Sequence, residues 1–418
     1  MQSGRGLWRQ ADFLRLWSGQ TISELGSRIT RDGLPLVALL VLGASPSQMG
    51  VIAALGSAVV LLISLPAGVW VDRLRRKPIM LAADLGRAVL VASIPIAALT
   101  QQLRLEHLYV VVALNGGLTV LFNAAYEAYL PSLIARENLV EGNSKLALSS
   151  SMAEVLGPGL AGFLVQWLTA PIAMAADALS FLASIGSLML IRTPEPPPAP
   201  IETRRHLAHE MIEGVRWVWG DRRLRALALA GGTRSFFGNF YAVLYSLYAL
   251  RYLGLDAAAL GVTIAMGGVG SLIGSALTDR VVRRFGLGRA LIGSGVIGGA
   301  LSFLIPLASG PVLMATLILM LSQLGGDAFN TLNGITSTSL RQAITPDRLL
   351  GRTSTSLQVM IAGVGPLGAL LSGVLAETIG VRETLWLAAA GVLLSTGWLI
   401  VSPIRQVRDH AAGLADKV

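Results

Sequence analysis

The 418-residue chain has no cysteine, four histidines, 14% charged residues and 6% aromatic ones. Without cysteine there is no disulfide, thiolate zinc site or iron–sulfur cluster. No histidine lies well inside an apolar run, which argues against a histidine metal site. Soluble domains are about a quarter charged, and charge this sparse cannot cover the surface of a 43.9 kDa globule. The phosphate-cradling pattern G-x-x-x-x-G-K-[ST] is missing too, and no nucleophile, metal or cofactor constellation stands out. An enzyme is not expected, and no cofactor is called for.

What remains is 53% apolar residues, 47 glycines and a mean hydropathy of +0.64. That composition describes a polytopic helical membrane protein. A span needs about 20 mostly apolar residues, and twelve such runs can be read, near 14–42, 48–71, 79–100, 107–130, 145–168, 171–191, 226–251, 258–280, 290–309, 312–339, 353–378 and 383–402. With the N-terminus in the cytoplasm, 26 of the 33 Lys and Arg fall in inner segments and three in outer loops. This bias predicts that both termini and the long loop at 192–225 are cytoplasmic. The net charge of +9 then reflects orientation and anionic lipid, not nucleic acid. Glu24, Arg28, Arg31 and Asp32 in the first run argue against a cleavable signal peptide and for a signal anchor.

Two landmarks recur at one offset. Gly68-Val-Trp-Val-Asp72-Arg73-Leu-Arg75-Arg76-Lys77 closes the second span, and Ser275-Ala-Leu-Thr-Asp279-Arg280-Val-Val-Arg283-Arg284 closes the eighth. Gly157-Pro158-Gly159-Leu-Ala-Gly162 in the fifth span answers Gly365-Pro366-Leu-Gly368 in the eleventh. The expectation is a parallel duplication: a six-helix bundle at 1–192, a linker at 193–222, and a second bundle with a short tail at 223–418. Secondary transporters use such repeats for alternating access, with cargo held midway between the halves. The linker opens with a proline-rich spacer at 193–200. Leu207, Met211, Val215 and Trp219 then recur every four residues, as in an amphipathic helix on the inner leaflet.

At these residues the chain resembles the major facilitator superfamily over nearly its whole length. Gly68, Asp72, Arg73, Arg76 and Lys77 match the superfamily's loop between spans two and three; Arg75 replaces its usual glycine. The resemblance implies an inner gate in which Asp72 meets span eleven and the arginines meet an acid at the inner end of span four, here Glu127. The Gly157, Pro158 and Gly162 stretch resembles the fifth-span motif of proton-driven exporters. Glu213-Gly214-Val-Arg216-Trp217-Val-Trp219, with Asp84 and Arg87 in span three, looks most like the branch of macrolide efflux proteins and the enterobactin exporter. Span four lacks the arginine common in drug/proton antiporters.

Ionisable residues within spans are the strongest functional signal, since each costs about 2.5–3.5 kcal/mol at a helix centre. Gln20, Glu24, Arg28 and Asp32 share one face of span one, with Arg31 beside it. Glu24–Arg28 and Arg28–Asp32 can pair within the helix. The face is either a structural ion network or a cavity wall whose carboxylate exchanges protons. Arg234, Asn239, Asp327, Asn330 and Asn333 are the polar candidates of the second half, with Tyr241 and Tyr245 reading either as packing or as cargo contacts. Glu154 and Asp177 rank below these. The resulting expectation is a monomeric exporter in a bacterial inner membrane, moving a small amphipathic, drug-like compound against protons, with membrane lipids as its other partners. A siderophore or metabolite exporter is the alternative, as is an uncoupled facilitator or transport-derived sensor.

Overall fold

In the computed structural model the described residues are 7–195 and 207–406, without the side chains of Leu65, Val69, Asp72, Gln406 and 207–211. They are helical throughout and hold no strand. The helices are α1 (Ala11–Leu36), α2 (Pro46–Arg73), α3 (Arg76–Leu99), α4 (Leu105–Leu133), α5 (Leu139–Leu168), α6 (Ala170–Leu190), α7 (Leu207–Gly220) and α8 (Arg222–Leu247). They continue as α9 (Ala257–Phe285), α10 (Leu287–Leu301), α11 (Leu304–Leu307), α12 (Val312–Ile344), α13 (Asp347–Gly363), α14 (Gly365–Thr378), α15 (Val381–Ser395) and α16 (Gly397–Ile400). Ten helical stretches among the described residues are long and apolar enough to cross a membrane. Helices α1 and α8 are long enough but fall outside that set, because α1 bears the Glu24-to-Asp32 charges and α8 is diluted by Arg234, Asn239 and several glycine, serine and threonine residues.

Backbone punctuation repeats along the chain. Both α1 and α8 run into a π-helical turn, at Val37–Val41 and Tyr248–Tyr252. Each turn is followed by a glycine at positive φ, Gly43 at 63° and Gly254 at 71°. Thr169, before α6, sits at φ 97°, and Gly380, before α15, at 105°. A β-branched residue is strained there whereas glycine is not.

Two compact units emerge: Met1–Ala44 with Leu55–Glu202 and Asp256–Ala265, and Ser45–Ala54 with Thr203–Leu255 and Met266–Val418. In the first unit α1 lies on α6 through a seven-residue stripe. Added methyls on Gly19, Gly26 and Gly33 would strike Ser187, Ser180 and Met174. Between apolar helices in lipid, such close backbone approach replaces the hydrophobic drive that water supplies elsewhere. Gly270 and Gly274 of α9 pack likewise against the backbone of α12 at Leu324 and Ala328 in the second unit.

Two glycine pairs make matching close helix crossings. In the first unit, a Cβ on Gly261 of α9 would lie 2.5 Å from Pro158 O, and one on Gly162 of α5 would lie 3.0 Å from Gly261 Cα. In the second unit, a Cβ on Gly50 of α2 would lie 2.7 Å from Ala369 O, and one on Gly373 of α14 would lie 2.6 Å from Pro46 O. The pairs Gly50–Gly373 and Gly261–Gly162 are the same crossing made twice.

The linker helix α7 docks on α13 rather than presenting its whole apolar stripe elsewhere. Gly214 and Val218 are buried, Glu213 pairs with Arg352 of α13, and Trp219 stays exposed beside Ile212. The side chains of Leu207 and Met211 lie outside the described residues, as do the spacer prolines from 196 onward.

Gly162→Ala would push a methyl into backbone, whereas a Cβ on Gly159 meets nothing within 4 Å. We expect Gly162→Ala to cost about 1–3 kcal/mol and Gly159→Ala to be near neutral. Thermal melting of the two purified variants checks this; equal melting temperatures would remove the crossing from the argument.

Candidate functional site

The four-residue spacing of Gln20, Glu24, Arg28 and Asp32 puts them on a face of α1 distinct from its glycine stripe. Helix α5 meets that face with polar groups of its own. The Ser150 hydroxyl donates to Glu24 Oε1. One turn on, Arg28 Nη2 meets Glu154 Oε1 at 3.1 Å, with the arginine side chain 20% exposed and the glutamate 52%. Next along α5 comes Gly157, and a Cβ there would lie 2.5 Å from Arg28 Cβ. The glycine of the fifth-span motif is therefore the slot through which the arginine stem passes, and Gly162 is the contact to α9.

The intrahelical pairs expected for Arg28 give way to this arrangement. Arg28 reaches across to α5 and not along its own helix to Glu24 or Asp32. Cross-helix pairing wins because Gly157 lets α5 approach the arginine closely. Asp32 is half-buried, and its Oδ2 meets no hydrogen-bond donor; Gln20 Oε1 is in the same condition, and Arg31 is exposed. Glu154, ranked low from sequence, thus becomes the direct partner of the central arginine. Its signal was legible: an acid three residues before the glycine motif.

The second unit repeats the slot with different chemistry. A Cβ on Gly365 of α14 would lie 2.9 Å from Asn239 Nδ2 of α8, and Asn239 donates to Ser235 O at 2.8 Å. Asn239 stands to Gly365 as Arg28 stands to Gly157. Arg234 donates to Asn330 Oδ1, while Gly267 of α9 makes room for the Asp327 carboxylate. Arg234 and Asn333 also border a cavity of about 50 Å³. Asn333 is committed elsewhere, donating to Leu291 O at 2.9 Å and Ser294 Oγ at 3.2 Å, which ties α12 to α10. Tyr245 is buried among its neighbours and Tyr241 is half-buried. Tyr248, further along the aromatic stripe, donates to Ala308 O at 3.0 Å.

At the loop after α2, Gly68 and Arg73 are exposed, as is Glu127, and the Asp72 side chain lies outside the described residues. Arg76 does not turn to Glu127. Its guanidinium lies 3.6 Å from Glu195, whose carboxylate also accepts the backbone N–H groups of Arg76 at 2.6 Å and Lys77 at 3.2 Å. A carboxylate at the first turn of α3 meets unpaired N–H groups and the positive end of the helix dipole. Glu195 goes unnoticed in the sequence because it reads as one residue of a proline spacer.

Against this geometry, the family model described as transmembrane secretion effector matches residues 4–416. The chain belongs to that family, a branch of the major facilitator superfamily. The multidrug efflux pump Tap of Mycolicibacterium fortuitum is 28% identical over 88% of this chain and 90% of its own. Macrolide efflux protein A of Streptococcus pyogenes is 23% identical over 95% and 96%. The enterobactin exporter EntS of Citrobacter koseri is 24% identical over 82% and 80%. A crystal structure of the nucleoside transporter NupG shares the fold, with a TM-score of 0.73 at 12% identity over 94% of this chain and 99% of that one. Like the other members of this family, the protein is a multi-pass membrane transporter and not an enzyme.

In this transporter the segment after α6 is tied down by two acids. Glu195 caps α3, and Asp12 at the start of α1 accepts from Thr193 N at 2.9 Å, Thr193 Oγ1 at 2.6 Å, Arg192 N at 3.2 Å and Arg15 at 2.6 Å. Burial alone would raise the Asp12 carboxyl; the Thr193, Arg15 and Arg192 donors outweigh it and lower it to about 2. The folded state therefore gains stability that is present above the ordinary value of 3.8 and lost as pH falls toward 2. Asp12→Asn should cost at most about 2 kcal/mol at neutral pH. The deficit should shrink below about pH 4, which paired melts across pH test directly.

Proposed function

We propose that the protein is an exporter of a small amphipathic, drug-like compound, driven by proton antiport through alternating access in a bacterial inner membrane. The observation that supports this most is the Glu24, Arg28, Glu154 and Asp32 cluster: three carboxylates around one guanidinium on facing helices. A second reading, a siderophore or metabolite cargo, draws its support from the relative named as an enterobactin exporter.

The architecture of this reading is twelve spans in two six-helix halves, with both termini and the linker in the cytoplasm. Its support lies in the repeated slots (Arg28 with Gly157, Asn239 with Gly365), the repeated glycine crossings, and the basic bias of alternate loops. The two further spans of this reading are α1 and α8, which polar and charged residues keep below the apolarity of the other ten while their length suffices. Energy must come from an ion gradient, worth about 2.3 kcal/mol per charge per 100 mV.

In the proposed cycle Arg28 moves between Glu154 and the acids of its own helix. An acid that loses the guanidinium takes up a proton on the outer side, and regains the guanidinium as it releases the proton on the inner side. Asp32, further toward the outer half in this orientation, is the titrating group we favour.

Reconstituted vesicles loaded with a panel of drug-like compounds and siderophores test this. Asp32→Asn and Glu24→Gln should each abolish accumulation driven by a proton gradient while leaving counterflow exchange within about twofold. Gradient-driven transport that survives the double substitution would overturn coupling at α1. Lowered abundance and melting temperature, with coupling intact in the remaining protein, would make the face a structural network.

A further inference from the structure

Helix α1 has a second set of ionisable neighbours, on the side away from Arg28 and unused by the cycle above. Asp84 and Arg87 of α3 and Asp177 of α6 are 0%, 3% and 0% exposed. Arg87 pairs with Asp84 Oδ1, and its guanidinium lies 4.3 Å from the centre of the Phe122 ring of α4 and 4.4 Å from that of Phe181 of α6. The two rings sandwich the cation and close it off from water. Asp177 has no such partner. The Ser180 hydroxyl donates to its Oδ1 at 2.9 Å, and its Oδ2 is buried and meets no correctly oriented donor. On the α1 side, a Cβ on Gly26 would lie 2.7 Å from Asp177 Oδ1, and Thr30 is the neighbouring polar side chain.

The charge count is two acids to one base. Arg87 is the one cation acting on either acid among the described residues. The other groups facing the cluster are Gly26 and Thr30 from α1, Phe122 from α4, and Ser180, Phe181 and Ser184 from α6; none carries charge. With both acids ionised, one net negative charge would be buried without compensation. Burying an unpaired ion costs several kcal/mol, whereas keeping a proton on a carboxyl costs about 1.4 kcal/mol for each pH unit above its ordinary range, so the proton is the cheaper choice at mildly acidic pH. Asp84 holds the direct contact with Arg87, so the neutral partner is the other acid.

We infer that Asp177 is a proton-binding site, occupied at mildly acidic pH, whose neutral form seats α1 on α6. The proton balances the charge of the buried triad and turns Asp177 Oδ2 into a donor, with the Thr30 hydroxyl beside it as acceptor. Because the glycine at position 26 brings the α1 backbone close to this carboxyl, loss of the proton places an unpaired negative charge under the helix that bears Glu24, Arg28 and Asp32. The site is thus a pH-sensitive latch on α1. It stands whether or not those residues couple transport.

Infrared spectroscopy of the purified full-length protein, with Asp177→Asn as the reference, tests it. The wild type should show the carbonyl stretch of a buried protonated carboxylic acid at about pH 5, and the band should be missing from Asp177→Asn. Folding then binds a proton that the unfolded chain lacks, so wild-type stability falls as pH rises. Between about pH 4 and 6 the wild-type melting temperature should drop by several degrees relative to that of Asp177→Asn, in which the amide replaces the neutral acid. A wild-type spectrum without the band overturns the inference, whatever the variant does. So does a band that persists unchanged in Asp177→Asn, or parallel pH dependences of melting.

Discussion

A guanidinium inside an apolar helical bundle must have a partner and a path to it, and the arrangement of α1 and α5 follows from where Arg28 goes. Its stem crosses α5 at Gly157, where a missing side chain leaves room, and its head group meets Glu154 one turn away. Glu24 is thereby left to Ser150, and Asp32 is left without a donor on one oxygen. The same slot, built from Gly365, accepts the neutral Asn239 in α8. The slot in the first unit holds a charge, and the slot in the second has the packing without it.

That asymmetry explains why the fifth-span glycine motif has two parts. Gly157 serves the charged face of α1, while Gly162 serves a backbone crossing with α9. A helix that must admit an arginine at one turn and a second helix a turn later cannot carry side chains at either position. Glycine is favoured there by close approach, and not by backbone torsion, since both residues are helical.

Much of the site is legible in the amino-acid sequence. The ionisable face of α1, the paired motifs at a common offset and the basic loops are all patterns of spacing and composition, and ten of the expected spans appear among the described residues as helices long and apolar enough to cross a membrane. The misreadings share one cause. The sequence pairs Arg28 along its own helix because residues four apart always meet on a helix surface; which of several acids on other helices would compete is invisible in it. Glu195 is hidden for the same reason, being local to nothing in the sequence and adjacent to the α3 terminus only in space. The aromatic stripe of α8 reads equally as packing or as lining, and the fold separates the two by burying Tyr245 and binding Tyr248 to a carbonyl of another segment.

By itself the sequence determined that this is a helical membrane protein and that its charges are few enough for each to need a reason. Those properties depend on composition and periodicity, which are fixed along one dimension. Tertiary structure decided the partners: Arg28 with Glu154, Arg76 with Glu195, Arg87 with Asp84, and Asp177 with no cation of its own. Coulomb energy in a medium of low dielectric depends on separations of a few ångströms between side chains on different helices, and those separations exist only once the helices have packed.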